Sequence, residues 1–401
     1  MTLSPLPQAL DDLRLGKFVI VVDDEDRENE GDIIMAAEHV STEKMNFMIR
    51  NTGGVVCLAL SNSIADQLDL PPMVKSKASS FYPAFTLSIE AAQGVTTGIS
   101  AADRTETVRS AINPVARPED LRRPGHVFPL RAQDGGVLVR AGHTEASVDL
   151  CRLAGLREGA VISELMNEDG SMMRLPSLKE FSIKHGIAMI SIADLIAYRR
   201  LHETFVRCDA ETLLETETGE WRVKVYRDAL NNLEHVALVK GAIESTKPVL
   251  VRAHSECLTG DVFGSGHCDC GKQLLAAMEQ IEKEGAGILL YMRQEGRGIG
   301  LTNKIKAYEL QRLEGLDTVE ANEKLGFPMD LRDYGIGAQI LKDLGVAKLR
   351  LLTNNPKKIV GLQGFGLEVV EQIPIEIHAS NPKQVRYLKT KREKLGHLLH
   401  S

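Results

Sequence analysis

Three cysteines in one glycine-rich stretch carry the sharpest chemical signal of the chain. Residues 251–274 read VRAHSECLTGDVFGSGHCDCGKQL, placing Cys257, Cys268 and Cys270 at the spacing C-x10-C-x-C. Glycines at 260, 264, 266 and 271 let the backbone close tightly around an ion. Thiolates hold zinc tetrahedrally, and three protein ligands leave a fourth position for a water whose pKa falls to about 7. Two plainer readings stand beside this one. Core cysteines are disfavoured because the Cys-Asp-Cys triplet, flanked by Gly and His, is too polar to pack. A closed structural zinc is open, with His267 or His254 as the fourth ligand. A second cluster lies at residues 23–32 (DDEDRENEGD), directly after the apolar run 17–22 (KFVIVV). In isolation such a run reads as a solvated loop. Arg27 beside Glu28 at a strand end, however, suits divalent ions and phosphates. His126 in residues 123–130 (RPGHVFPL) and His143 in residues 140–145 (RAGHTE) add imidazoles in glycine-containing turns.

The elements that position these groups follow from pattern and punctuation. Residues 17–22 and 55–60 read as buried strands, with a turn at 51–54 (NTGG) before the second. A helix is expected from Ser41, whose hydroxyl can cap it. Apolar spacing predicts a helix over 191–204, strands within 205–225, 237–240 and 248–252, and an amphipathic helix over 272–284. Residues 383–394 are basic and read as a solvated helix. The 401 residues suffice for two domains, 1–199 and 200–401, each α/β (α+β) with a mixed sheet and packed helices. The net charge of −7 argues against a nucleic-acid partner, which would need clustered Lys and Arg. Without an apolar run of about 18 residues, no membrane span is expected. The N-terminus lacks signal-peptide features, and Cys268 and Cys270 are spaced poorly for a disulfide framework, so the cytoplasm is the expected compartment.

The second half resembles GTP cyclohydrolase II, the zinc enzyme that opens the imidazole ring of guanine. The resemblance runs from the cysteine segment through RQEGRGIGL (293–301), NKIKAY (303–308), DTVEANEKLGF (317–327), DLRDY (330–334) and LLTNNPKK (351–358). One departure is Gly266-His267, where a bulkier or basic pair is usual before Cys268. The resemblance implies zinc, one per domain, on Cys257, Cys268 and Cys270. It makes Asp330 the proton shuttle and Arg332 the group acting at the α-phosphate, as nucleophile or as stabiliser of charge. GTP contacts would come from Arg252, Ala253, His254, Ser255 and Glu256, from Gln273, and from Glu295, Gly296 and Arg297. Thr318, Thr353 and Lys358 complete the implied set, with Tyr308 near the metal. Magnesium would escort the triphosphate. The implied products are 2,5-diamino-6-(5-phosphoribosylamino)pyrimidin-4(3H)-one, formate and pyrophosphate.

The first half resembles 3,4-dihydroxy-2-butanone 4-phosphate synthase through the acidic run, the two histidine segments, VTTGISAADR (95–104) and ISELM (162–166). By that resemblance Glu28 and His143 would hold two magnesium ions. An imidazole ligand on so oxygen-loving a cation points to weak binding or to manganese as substitute. Arg27, Glu28, Asp32, Arg140, Ala141, Gly142, His143, Thr144 and Glu164 would bind ribulose 5-phosphate. His126 and Glu164 would be essential for catalysis, and Glu30 and Cys57 fall in matching pocket segments. Together the halves resemble the fused enzymes of riboflavin biosynthesis, a lyase joined to a hydrolase, for which homodimers are expected. One alternative leaves only the cyclohydrolase half active, with the first half a scaffold. Another is a zinc-stabilised nucleic-acid-binding module using residues 383–394, which leaves the paired acid/base motifs unexplained.

Overall fold

A computed structural model of the chain describes residues 3–74, 84–327, 334–355, 362 and 365–375. The chain forms two compact units, Met1–Arg199 and Arg200–Ser401. Among the described residues no helix is long and apolar enough to cross a membrane.

The first unit is built on an eight-stranded mixed sheet. Its order is Ala84–Phe85, Leu121–Arg131, Cys57–Leu60, Gly159–Glu164, Gly31–Ala36, Val19–Val22, Ala188–Ser191, with Ile89–Ala91 also pairing onto Leu121–Arg131. Val19–Val22 and Gly31–Ala36 are buried along their whole length, which explains the unbroken apolar run of the first and of residues 33–36, with Asp32 the one buried carboxylate between them. Alternation sends Ile20, Val22, Ile33 and Met35 into one core, with Met45 and Met48 of helix Thr42–Asn51 and Val108 of helix Ala101–Ile112. Val19, Val21 and Ile34 enter the other core, with Leu10 and Leu13 of helix Leu6–Arg14 and Leu150 of helix His143–Leu153. Helices therefore cover both faces. The expected cap is present, Ser41 accepting from the Lys44 amide at 3.3 Å. The expected helix before residue 204 spans Ile192–His202.

The second unit carries a seven-stranded mixed sheet. Its order is Glu368–Ile373, Lys348–Leu352, Val249–Ser255, Gly287–Met292, Glu234–Lys240, Gly219–Asp228, Val206–Thr216. The first four are parallel neighbours and the last three a meander of antiparallel pairs. The amphipathic helix read at 272–284 begins at Cys270 and ends at Glu284. Its Ala277 and Ile281 pack with Leu250 and Leu289 of the sheet and with Trp221. The basic residues 383–394 lie outside the described residues.

Candidate active sites

In the first unit the acidic run is the hairpin loop between Val19–Val22 and Gly31–Ala36. Asp23 organises it. One carboxylate oxygen accepts from the Glu30 amide at 2.7 Å, and the other accepts from the Glu28 amide at 3.1 Å and from Arg27 Nη1 at 2.7 Å. The same Arg27 nitrogen lies 2.6 Å from Glu28 Oε2. Register brings the remaining groups to this end of the sheet, since Asp32 pairs with Glu164 and Val21 with Asp32. Cys57 pairs with Phe128 in parallel and with Ile162 in antiparallel register, so His126, two residues before Phe128, and Glu164, two after Ile162, share that end too. Glu164 Oε2 is fixed by the Val55 amide at 2.9 Å. A Cβ on Gly54 would sit 2.5 Å from that oxygen and 2.6 Å from the Glu164 carbonyl oxygen, so glycine is required there.

His143 opens helix His143–Leu153, almost wholly buried, with Nδ1 4.0 Å from Glu28 Oε2 and 3.8 Å from Asp32 Oδ1. Burial lowers its pKa and so favours the neutral, ligating imidazole. Its Nε2 is buried without a hydrogen-bond partner among the described residues. Ligand atoms of Asp23, Glu28 and His143 all lie within 4.8 Å of one another, a donor set that fits a hard cation. Asp23 was not singled out from the sequence, being one of several carboxylates in the run. Asp32 is buried, and desolvation, reinforced by Glu164 and Glu28, holds its carboxyl well above the usual range. Glu30 is raised for the same first reason. Cys57 is a core thiol pushed up by burial and then by Glu164.

Arg140 donates to Glu145 at 2.5 Å, and Gly142 caps the helix where a Cβ would meet Arg140 Nη1 at 2.2 Å. Ala141, Gly142 and Thr144 thus surround a helix N-terminus, which favours a phosphate. His126 Nδ1 faces Glu90 Oε1 at 3.4 Å. Gly98 leaves room for both, since a Cβ there would overlap Glu90 and approach His126 Nδ1 to 2.7 Å. Glu90 had no signal in the sequence.

In the second unit the three sulfurs meet. Sγ of Cys257, Cys268 and Cys270 lie within 4.8 Å of one another, with Cys257 and Cys268 3.6 Å apart. Tetrahedral zinc with sulfurs at about 2.3 Å separates them by about 3.8 Å, so the set fits that ion. Gly260 makes the space, because its Cβ would sit 2.7 Å from Cys268 Sγ and 3.0 Å from Cys257 Sγ. The thiols compete for protons. Cys257 is held low by hydrogen bonds from Cys268 and Cys270 and then by the ammonium of Lys304, while Cys268 is pushed up to about 11 by Cys257. Neither candidate histidine joins the sulfur cluster. His267 stacks on Tyr308 at 4.8 Å with Nδ1 3.2 Å from Ser265 Oγ, and His254 Nε2 pairs with Asp261 at 3.1 Å.

The cluster forms part of the wall of an open cleft. Arg252, His254, Ser255, Glu256, Gln273, Glu295, Gly296, Arg297, Thr318 and Thr353 all line it, as does Tyr308, whereas Ala253 is buried behind it. Arg252 is buried, bonded to the Leu352 carbonyl at 2.9 Å and to Gln273 Oε1 at 2.6 Å. Gln273 in turn donates to Asp269 at 2.6 Å. Gly296 and Arg297 both adopt left-handed backbone, φ 61° and 62°. Such strain in a non-glycine residue marks a functional turn, and Arg297 Nη1 is buried with no partner among the described residues. Lys304, Asn322 and Asn354 also line the cleft and were not singled out from the sequence. Asp330, Arg332 and Lys358 lie outside the described residues.

Comparison with known proteins agrees with this division. Residues 7–198 match the family model 3,4-dihydroxy-2-butanone 4-phosphate synthase, and residues 207–374 match GTP cyclohydrolase II. The riboflavin biosynthesis protein RibBA of Bacillus cereus is 58% identical over 395 residues, covering 98% of this chain and 99% of the relative. That of Bacillus mycoides matches equally, 58% over the same span. Among solved structures, RibBX of A. baumannii, described as a two-domain 3,4-dihydroxy-2-butanone 4-phosphate synthase, superposes with a TM-score of 0.69 at 39% identity, covering 93% of this chain and 100% of that one.

Proposed function

The chain belongs to the family of fused riboflavin-biosynthesis proteins, a 3,4-dihydroxy-2-butanone 4-phosphate synthase joined to a GTP cyclohydrolase II, and on that premise we propose which residues carry its two reactions. It is a lyase acting on ribulose 5-phosphate and a hydrolase acting on GTP, and formate leaves in both reactions. We propose that the catalytic domains divide at 199/200. The observation that carries the reading is the pair of ligand sets: carboxylates and an imidazole in one unit, three thiols in the other.

In the synthase half Asp23, Glu28 and His143 would hold magnesium or manganese, two ions per domain. Bound there, such cations supply positive charge where ketose oxygens become negative. Arg140, Gly142 and Thr144 bind the phosphate, with the Ala141 backbone between them. Arg27, Asp32 and Glu28 orient the hydroxyls. His126, oriented by Glu90, and Glu164, fixed by Val55, move protons at the carbon skeleton. In the cyclohydrolase half Cys257, Cys268 and Cys270 would hold one zinc, which supplies a Lewis acid at the cleft wall. Arg297 and Lys358 meet triphosphate oxygens, escorted by magnesium. The segment from Arg252 to Glu256, with Gln273, Glu295, Gly296, Thr318 and Thr353, orients the nucleotide. Asp330 moves the proton and Arg332 acts at the α-phosphate.

We extend the proposal to a homodimer in the cytoplasm. The six cysteines are all free thiols, which fits a reducing compartment. The decisive test incubates the whole protein separately with ribulose 5-phosphate and with GTP, with and without chelator, and quantifies formate. Formate from GTP alone, with none from ribulose 5-phosphate under added magnesium, would leave the first half a scaffold.

A further inference from the structure

We infer that Lys304 is a positioning residue that locks the metal-binding thiol of Cys257 to the nucleotide-facing turn at Glu295. The inference rests on the assignment of this cleft to a metal and GTP. Lys304 lies on helix Gly300–Glu314 and is 8% exposed, so its ammonium is held inside the protein by its partners. Nζ donates to Cys257 Sγ at 3.1 Å and to Glu295 Oε1 at 2.7 Å. Glu295 completes a ring, because its Oε2 accepts from the amide of Leu258, the residue after Cys257, at 2.7 Å. Its Oε1 also accepts from the Gly296 amide at 2.9 Å. Cys257 is therefore gripped twice, at its sulfur by Lys304 and through the next peptide by Glu295. The turn is packed on the same lysine, since a Cβ on Gly296 would sit 3.2 Å from Lys304 Cβ.

A merely structural ion pair would not need to touch the sulfur. Three thiolates around a divalent cation leave one excess negative charge in a low-dielectric wall, and a buried charge is costly without a counter-ion. Lys304 places a cation against the Cys257 sulfur and shares it with the Glu295 carboxylate. The N–H···S bond also fixes the orientation of the Cys257 sulfur, and groups behind the direct ligands commonly set metal retention in this way. Through Glu295 the same ammonium sets the distance between the metal and the turn that carries Arg297.

The test uses the full-length, metal-loaded protein and the variants Lys304→Met, Lys304→Arg and Glu295→Gln. Metal transfer to a chromophoric chelator, and the sulfur-to-metal absorption of cobalt-substituted protein, are followed beside kcat and KM for GTP. Formate release from ribulose 5-phosphate by the same preparations reports on the first unit, and the thermal unfolding transition of the second unit reports that it is folded. We expect Lys304→Met to release metal about 10–100-fold faster, with a shifted cobalt–sulfur band. Lys304→Arg, keeping the charge, should retain metal better than Lys304→Met. Glu295→Gln should fall between wild type and Lys304→Met. Wild-type release rate and an unshifted band in Lys304→Met would overturn the inference. Should Lys304→Met fail to fold, release from Glu295→Gln at the wild-type rate would overturn it equally. A wild-type protein that neither holds metal nor converts GTP would instead overturn the assignment of the cleft.

Discussion

The first unit gathers Asp23, Glu28 and Asp32 around His143, with Glu164 beside Asp32, whereas the second gathers three thiols beside one lysine. The carboxylate site draws on a hairpin loop, two neighbouring strands and the start of a helix more than a hundred residues away. The thiol site draws on fourteen consecutive positions, 257–270. Each handles its negative charge differently. Arg27 pairs with the buried Asp23 and the exposed Glu28, while burial pushes the Asp32 carboxyl toward its neutral form. In the second unit a buried ammonium takes the charge of one thiolate. The contrast teaches that oxygen donors suited to a loosely held, exchangeable hard cation can be assembled from separate elements. Soft donors for a tightly held ion are brought together by one short, glycine-hinged loop.

If the two sites are independent, exchange of one ligand should silence one reaction alone. Cys268→Ser should lower formate release from GTP by about 1,000-fold or more while ribulose 5-phosphate conversion is unchanged, since the ion loses a ligand. Loss of both activities would mean that the units fold as one. His126→Ala should do the reverse, costing about 100- to 10,000-fold in ribulose 5-phosphate turnover, the usual range for a lost general acid or base. Paired glycine substitutions sharpen the comparison. Gly54→Ala pushes on Glu164 and Gly260→Ala on the sulfurs of Cys268 and Cys257, and such overpacking costs about 1–3 kcal/mol. Each should slow only its own reaction, in parallel formate assays, and equal effects on both would undo the assignment.

Chelation should separate the sites in time. Treatment with a strong chelator should stop ribulose 5-phosphate conversion at least about tenfold faster than GTP conversion, and added magnesium or manganese should restore only the former. The smallest effect concerns stability. The Asp32 carboxyl is raised above its unfolded value of about 3.9, so the folded state binds the proton more tightly. Its contribution is then complete below about pH 4 and lost as pH rises through the folded value. In metal-free protein Asp32→Asn should therefore raise Tm by a few degrees at pH 8 and less at pH 5, although ribulose 5-phosphate turnover is lost. Calorimetry at the two pH values decides it. A variant no more stable at pH 8 would mean that Asp32 is ionised in the folded protein.

Residue type and spacing alone sufficed for the thiol site, for the alternation of strands and helices, and for the capped start of helix Thr42–Asn51. Those are local properties: a ligand set within a few turns of chain, a period of two or of 3.6, a serine hydroxyl within reach of its own helix. Motif resemblance also reached Glu28, His143, His126 and Glu164, and the fold brings them to one end of a sheet. Three decisions belonged to the tertiary structure. Asp23 completes the carboxylate cluster because a hairpin turns it toward His143. Neither His254 nor His267 joins the sulfurs, because Asp261 claims one ring and Tyr308 stacks on the other. Glu90 and Lys304 act on groups 36 and 47 positions away in the chain, His126 and Cys257, and no local pattern encodes a contact across such a distance. Side-chain chemistry travels with the residue; the partner that orients it is chosen only when strands pair and helices pack.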